Sequence, residues 1–393
     1  FTGDFHAITS ANNLLCSFID NHIYQGNELN INPNKIVFNR CLDLNDRALR
    51  QIEVAIGEKN GVTRKDKFNI TASSEIMSIL CLSLNLEDLK NRLGNILVAY
   101  DNNNKPIFAK DLNVNDAMAI LLKDAIKPNL VQTLAGTPAI VHGGPFANIA
   151  HGCNSIIATK LALTYADYVV TEAGFGADLG AEKFLDTKCR VANIKPNAVC
   201  IVATVRALKL HGGAEKGLLN NEDLITLKKG IPNLIKHIEN IKNVYNLPVM
   251  VAINKFTTDT EEEIALVKQE VEKLGVKVET CDVWAKGGKG AVALAKQVVE
   301  LCEEDNSKFS YCYDECDTIK NKIFNIATKI YGASGVNYLD KALEDIKDIE
   351  NLKLDKMPII VAKTQYSLSD NAKLLGRPEN FEITIKELQL RGG

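Results

Sequence analysis

The chain has 393 residues, of which 46% are hydrophobic and 24% are charged, and its formal net charge is -3. One hydrophobic core seldom serves a chain of this length, so two or three domains are expected. The charge provides no global basic face, which argues against a nucleic-acid partner. Apolar runs stay below the roughly 18 residues that a membrane span requires, which argues against an integral membrane protein.

The ten cysteines are expected to be reduced thiols. Cys81 and Cys200 each lie within an apolar run, where a free cysteine behaves as a small hydrophobe. Cys312 and Cys316 lack the two-residue spacing of a zinc knuckle, and the sequence has no second pair of this kind that could complete a zinc site with them. This pattern favours a cytoplasmic protein and leaves the metal ligands unknown.

The first clear element in chain order is a β-hairpin. Residues 101–106 are rich in Asp, Asn and Pro, and they separate the apolar runs 96–98 and 107–108. Side chains of this kind favour turns, so the two runs are predicted to pair.

From residue 139 onward, short apolar runs alternate with longer helical patterns. We predict strands buried on both faces at residues 139–142, 168–171, 200–203, 249–253 and 359–362, and a further strand at 381–385. Helices are predicted at residues 148–165, 221–242 and 260–274. This alternation is typical of βαβ units and a parallel sheet.

The third of these helices has the clearest boundaries. Asp259 or Thr260 can cap its start, the acidic residues 261–263 complement the positive end of its dipole, and Gly275 ends it. The acidic residues could instead bind a metal, but solvated charge in a first helical turn is the favoured interpretation.

Ligands of an open parallel sheet bind beyond the carboxyl ends of its strands. At this point the first strand leads into His142, Gly143 and Gly144, and glycines before a helix let backbone N–H groups approach an anion. The later loops carry rings and cations, namely Phe175, Arg206, Lys209, Phe256 and Trp284, the only tryptophan. Together they predict a flat, aromatic, anionic ligand next to a phosphate site.

Asn254 and Lys255 resemble the base-reading corner of P-loop nucleotide hydrolases, where an Asn amide and a Lys stem hold a purine. The sequence contains no G-x-x-x-x-G-K-[ST] segment. We therefore expect the phosphate loop of an ATP-dependent enzyme upstream of Phe1, a chain truncated at both ends, and no turnover by this chain alone.

Residues 202–213 are close to a signature pattern of the formate–tetrahydrofolate ligase family. Further segments that resemble this family are residues 1–7, 21–30, 142–154, 172–183, 283–288 and 362–378. The similarity extends over essentially the whole chain, and residues 21–27 are similar to the single-function bacterial type. The resemblance implies synthesis of 10-formyltetrahydrofolate from formate, tetrahydrofolate and MgATP through formyl phosphate. It also implies a cytoplasmic homotetramer, with a polyglutamylated folate and a monovalent cation as further possibilities.

The resemblance also assigns roles to residues. Phe256 and Trp284 would stack on the folate ring, and Phe175 would line the same pocket. The candidate catalytic residues are Asp4, His6 and Arg206, although a helix-start Asp and a packed His would explain the first two equally well. The candidate nucleotide or phosphate contacts are His142, Gly143, Gly144, Asn254 and Lys255. Thr257 stands where the family usually has proline, which puts the rigidity of that corner in doubt. His237 lies in a pattern typical of a solvated helix and is discounted.

The predicted fold is a P-loop-type doubly wound, mostly parallel sheet followed by smaller α/β domains. The expected domains are residues 1–236 for nucleotide and substrate, 237–315 for the folate-site rings, and 316–393. Two alternatives stay open: a non-catalytic interaction module of the same fold, and another ATP-dependent synthetase of the P-loop class. Arg206 and Lys209 are both expected within reach of an anionic ligand, unless they are buried as a paired network.

Overall fold

The computed structural model describes residues 3–304 and 306–393, and it divides into two compact units. Unit 1 consists of the described residues up to Ala173 together with Gln389–Gly393, and unit 2 is Gly174–Leu388. Both units mix helices with small sheets, so the α/β class is confirmed. The division into three domains stays a prediction.

Unit 1 is built from helices and short strands. Its helices are α1 (Asp4–Tyr24), α2 (Glu75–Leu82), α3 (Leu86–Gly94), α4 (Asn115–Leu122) and α5 (Ile156–Tyr165). Its strands are β1 (Ile31–Ile36), β2 (Arg40–Leu42), β3 (Ile52–Val54), β4 (Arg64–Asp66), β5 (Phe68–Ile70), β6 (Leu97–Asp101), β7 (Pro106–Phe108), β8 (Asn129–Gln132) and β9 (Pro138–Val141).

The core of unit 1 forms around α1. Ile8, Ala11, Leu15 and Ile19 recur every three or four residues, which places them on one face of the helix, and all four are buried. They pack in one cluster with apolar residues of α2, α3 and α4. Truncating one of the large side chains, as in Leu15→Ala, would cost about 2–5 kcal/mol.

Two strand predictions in unit 1 need correction, although the hairpin of β6 and β7 is confirmed. β9 pairs antiparallel with β8 and is therefore not a strand of a parallel sheet. Residues 168–171 form no strand in the part of the chain that the structure describes. Val170 is 90% exposed and Tyr168 is also exposed, so this run does not have the two buried faces that were predicted.

Unit 2 contains further helices and a parallel sheet. Its helices are α6 (Gly180–Lys183), α7 (Arg190–Ala192), α8 (Val205–His211), α9 (Leu224–Glu239), α10 (Glu261–Glu272), α11 (Val283–Lys286), α12 (Val292–Glu303), α13 (Ile319–Asn325) and α14 (Asp340–Asn351). Segments of π-helix are Phe184–Cys189, Asn240–Val244 and Ile326–Tyr331. Its strands are β10 (Val199–Ala203), β11 (Val249–Asn254), β12 (Lys277–Cys281), β13 (Gly335–Tyr338) and β14 (Glu382–Ile385).

β11 is the central strand of the parallel sheet and pairs with β10 on one side and β12 on the other. Its residues from Val249 to Ile253 are all buried, as predicted. β10 differs from the prediction because Cys200 and Val202 are exposed, so this strand is buried on one face only. Residues 359–362 form no strand among the described residues, whereas β14 confirms the strand predicted near residue 381.

The predicted helices are present with shorter limits, as α5, α9 and α10. α10 has the expected ends, because Thr260 and Glu263 form a capping box and Gly275 follows with a φ of 66°. Among the residues that the structure describes, every helix is too short or too polar to cross a membrane.

Candidate functional site

The glycine loop after β9 lies against α1 and α2. Gly143 has a φ of 69°, and a Cβ atom there would lie 2.2 Å from Sγ of Cys81, so only glycine fits. A Cβ atom on Gly144 would lie 3.2 Å from the ring of Phe5. The loop backbone therefore approaches the first turn of α1 closely.

The structure brings the candidate catalytic residue Asp4 to this loop. Asp4 is buried, and its Oδ2 atom accepts a hydrogen bond of 3.2 Å from the Gly143 N–H. His6 is exposed in the same helical turn, so it is not a packed histidine. The Gly144 N–H donates only to the Sδ atom of Met77, at 3.3 Å. Because a thioether is a weak acceptor, this N–H is the donor of the loop that an anion could most easily take over.

His142 is fixed on both sides of its ring. Its Nε2 atom lies 2.6 Å from the Ala125 carbonyl oxygen, and its Nδ1 atom lies 2.6 Å from Oγ of Ser155. Burial lowers the pKa of His142, which favours a neutral ring that donates to the carbonyl and accepts from the hydroxyl. The same serine caps α5 by accepting from the Ala158 N–H. This geometry holds the loop in place, and a nucleotide contact by His142 stays a prediction.

In unit 2, the loops that carry Phe256 and Trp284 leave the same edge of the sheet. Asn254 at the end of β11 is in register with Cys281 at the end of β12, and the Lys255 N–H donates to the Cys281 carbonyl. The two rings follow within three residues of these strand ends. Phe256 is 39% exposed and Trp284 is 83% exposed, so Trp284 is not a core residue and both rings are accessible to a ligand.

Arg206 accompanies the Phe256 ring. Its guanidinium carbon lies 5.5 Å from the ring centroid, which is within the range of a cation–π contact. Thr204 caps the start of α8, so Arg206 extends from the first turn of an anchored helix. The structure thus brings the candidate catalytic arginine to a candidate folate-binding ring.

The prediction that Lys209 lies within reach of an anionic ligand is wrong. Its Nζ atom lies 2.8 Å from Oε1 of Glu263, and both side chains are buried. A neighbouring cation, Lys255, is accessible by contrast and pairs with Glu261 at 2.6 Å. The hydrogen bond to Glu261 raises the pKa of Lys255, which therefore stays charged.

The sequence analysis predicted Asp259 only as a possible helix cap and missed its contact with Phe256. Its Oδ2 atom accepts a hydrogen bond of 2.8 Å from the Phe256 N–H, and its own N–H donates to the Phe256 carbonyl at 3.1 Å. Burial raises the pKa of Asp259, and the hydrogen bond from Phe256 opposes this effect. The sequence signal that could have identified Asp259 is an Asp three residues after an aromatic residue that follows a strand.

Phe175 has a strained backbone. Its φ of 60° is rare for a bulky residue, and its side chain is 57% exposed. The loop that carries it is anchored by a buried ion pair of 2.7 Å between Asp178 and Lys363. An exposed ring held in a costly conformation fits the predicted ligand contact.

His237 lies under this loop, which corrects its interpretation as a solvated residue. A Cβ atom on Gly176 would lie 3.7 Å from Cε1 of His237, and burial lowers the pKa of the imidazole. Its Nδ1 atom is buried and has no hydrogen-bond partner among the described residues. The helix of His237 therefore supports the Phe175 loop.

A family model of formate–tetrahydrofolate ligase matches residues 1–393, the whole chain. The chain belongs to this family. The resemblance inferred from the sequence is therefore confirmed, and the function is that of an ATP-dependent ligase that joins formate to tetrahydrofolate. ATP is accordingly a co-substrate. Neither a non-catalytic module nor another synthetase of the P-loop class is favoured by a match over the whole chain.

Most of the ligase signature at residues 202–213 serves packing. The Nδ1 atom of His211 accepts from the Gly376 N–H at 3.1 Å, and Lys209 is the buried partner of Glu263. A Cβ atom on Gly212 would lie 1.7 Å from the Thr226 carbonyl oxygen, so glycine is required where α8 crosses α9. Arg206 is the charged signature residue that remains near an accessible ring.

Within residues 3–304 and 306–393, the His, Cys, Asp and Glu side chains form no group of three that could hold a metal ion. A groove of about 860 Å³ lies between α9 and α10, lined partly by Leu224, Ile225 and Leu266. Its lining includes none of the predicted site residues and no aromatic ring. This groove therefore does not coincide with either of the two loop clusters that carry the predicted site residues.

Proposed function

We propose that the ligase makes 10-formyltetrahydrofolate from formate, tetrahydrofolate and MgATP through formyl phosphate. A formate oxygen attacks the γ-phosphorus of ATP, and the bond to the β-phosphate oxygen breaks to release ADP. N10 of the folate then attacks the carbonyl carbon, inorganic phosphate leaves, and the nitrogen loses its proton. Phosphorylation is required because a carboxylate resists attack by an amine, and water must be kept out because an acyl phosphate hydrolyses.

The folate ring is proposed to lie between Phe256 and Trp284, with Phe175 lining the same pocket. The observation that carries this assignment is the common sheet edge from which Phe256 and Trp284 emerge, with both rings exposed. A flat pteridine between two rings buries apolar area and gains roughly 0.5–1.5 kcal/mol per favourable ring pair. Arg206, already over the Phe256 ring, is proposed to stabilise negative charge that develops on the reacting groups.

The phosphate and formate end is proposed to involve Asp4, His6 and the loop of His142, Gly143 and Gly144. The weakly held Gly144 N–H and the exposed imidazole of His6 support this proposal. His6 is proposed as a polar contact at this end of the site. Asp4 could contribute a carboxylate ligand to the magnesium of MgATP, which usually takes one or two carboxylates besides phosphate oxygens.

Asn254 and Lys255 are proposed as nucleotide contacts, since Lys255 is held only by an exposed ion pair. The parallel order of β10, β11 and β12 supports the proposal of a P-loop-type doubly wound fold, with domains at residues 1–236, 237–315 and 316–393. The family resemblance supports a cytoplasmic homo-oligomer, a polyglutamylated folate and a monovalent cation as further parts of the proposal.

The folate assignment is tested by calorimetric titration of the chain with tetrahydrofolate. We expect Phe256→Ala to weaken binding about tenfold, since one ring face and its buried area are lost. Phe324→Ala is the matched control, because Phe324 is a half-exposed ring on α13 outside the proposed site. Unchanged affinity in Phe256→Ala would refute the folate site.

A further inference from the structure

We infer that Asp259 is the positioning residue for the folate ring, because it closes the turn that presents Phe256. The inference rests on the proposed folate site and adds a residue to it. Asp259 does not touch the ligand in this scheme. It acts through the backbone of Phe256.

The turn from Phe256 to Asp259 is closed by two hydrogen bonds in opposite directions. The Asp259 N–H donates to the Phe256 carbonyl at 3.1 Å, and the Phe256 N–H donates to Oδ2 of Asp259 at 2.8 Å. The first bond defines a four-residue β-turn, and the second adds a side-chain oxygen that accepts from the first residue of the turn. Together they fix the direction in which the Phe256 side chain leaves the sheet edge.

The far side of the turn is anchored to two helices. Asp259 directly precedes Thr260, the cap of α10, and Glu263 of the same capping box pairs with Lys209 of α8. Asp259 itself is only 8% exposed. Burial raises the pKa of its carboxyl group and Glu263 adds to this effect, whereas the hydrogen bond from Phe256 and the charges of Lys209 and Arg206 oppose it. The acceptor of Phe256 is therefore held by a rigid support.

Thr257 makes the hydrogen bonds that close the turn from Phe256 to Asp259 important in this chain. It occupies the second position of the turn, where proline would fix φ near the value that the turn requires. Its backbone N–H has no hydrogen-bond partner among the described residues, so proline would cost no bond there. With threonine at this position, the side chain of Asp259 supplies the restraint.

Three variants test this role by calorimetric titration with tetrahydrofolate. Asp259→Ala removes the acceptor, and we expect about tenfold weaker folate binding. Asp259→Asn keeps an oxygen acceptor and should bind folate within about twofold of the parent chain. Thr257→Pro, added to Asp259→Ala, should restore binding because the ring fixes the same turn.

The outcomes separate this inference from the folate site itself. If Phe256→Ala weakens binding but Asp259→Ala does not, the positioning role is wrong and the site stands. If neither variant matters, the folate site is wrong and the inference is overturned with it. If Asp259→Asn is as weak as Asp259→Ala, or Thr257→Pro fails to restore binding, Asp259 acts by direct contact and positioning is refuted. If the alanine variant unfolds, Asp259→Asn decides the test: binding within about twofold of the parent chain supports positioning, and a larger loss refutes it.

Discussion

The Nζ atom of Lys209 lies 2.8 Å from Oε1 of Glu263, with both side chains removed from solvent. The same carboxylate accepts hydrogen bonds from the Asp223 N–H at 3.0 Å and the Thr260 N–H at 3.2 Å. One side chain thus ties α8 to the starts of α9 and α10. Lys209, which the family signature offered as a ligand contact, therefore helps to hold three helices together.

Lys209→Met should destabilise the ligase strongly, because Glu263 would remain buried without its counter-ion. Breaking a buried ion pair from one side costs about 3–5 kcal/mol. Urea denaturation of the chain measures this loss. Lys228→Met is the matched control, since Lys228 is exposed on α9 and should change the free energy of unfolding by less than about 0.5 kcal/mol. Equal stability of the two variants would show that the pair contributes nothing.

His142 should make stability fall as the solution becomes acidic. Burial lowers the pKa of the folded imidazole, while the Ala125 carbonyl and Asp4 act in the opposite direction. The unfolded chain takes up a proton near pH 6.5, whereas folded His142 does so only at lower pH. Its contribution is therefore present above about pH 6.5 and is lost as pH falls through the folded pKa.

The free energy of unfolding measured from pH 7.5 to pH 5 tests this expectation. His142→Gln should be less stable at neutral pH and show a flatter decline than the parent chain. An identical decline in His142→Gln would assign the pH dependence to other groups.

The sequence predicted best where structure depends on neighbouring residues. α10 has its capping residues within one turn, and residues 249–253 of β11 are apolar because both faces of this strand are covered. Residues 168–171 look equally apolar, yet no strand forms there, since strand pairing depends on partners far along the chain. A short apolar run does not specify which other strand it pairs with.

The site residues were likewise predicted correctly where their position depends on nearby residues, and wrongly where it depends on distant ones. Phe256 and Trp284 could be assigned to one edge because consecutive parallel strands end together. Lys209 could not be separated from Arg206 by sequence, because its partner Glu263 lies 54 positions away. His237 was misjudged for a similar reason, since the loop that buries it begins some sixty residues earlier.

Phe175→Gly should raise stability while weakening folate binding. Glycine adopts a φ of 60° without steric cost, so relief of strain should offset its greater flexibility when unfolded, for a gain of up to about 1 kcal/mol. Thermal unfolding and tetrahydrofolate titration measure the two effects. Phe175→Leu keeps the strain and most of the volume but not the ring, so it should lose affinity at unchanged stability. Loss of stability in the glycine variant would mean that Phe175 serves packing and not ligand binding.

Trp284 should report folate binding directly, because it is the only tryptophan and is 83% exposed. Stacking of a pteridine on the indole should quench its emission saturably as tetrahydrofolate is added, and Phe256→Ala should shift that titration to higher concentration. Trp284→Ala should weaken calorimetric binding about tenfold, and Trp284→Phe should lose less because one ring face is kept. An exposed side chain contributes little to the core, so Trp284→Ala should change the free energy of unfolding by less than about 0.5 kcal/mol. Emission that ignores tetrahydrofolate, with unchanged affinity in Trp284→Ala, would remove Trp284 from the site and leave Phe256 without its opposing ring.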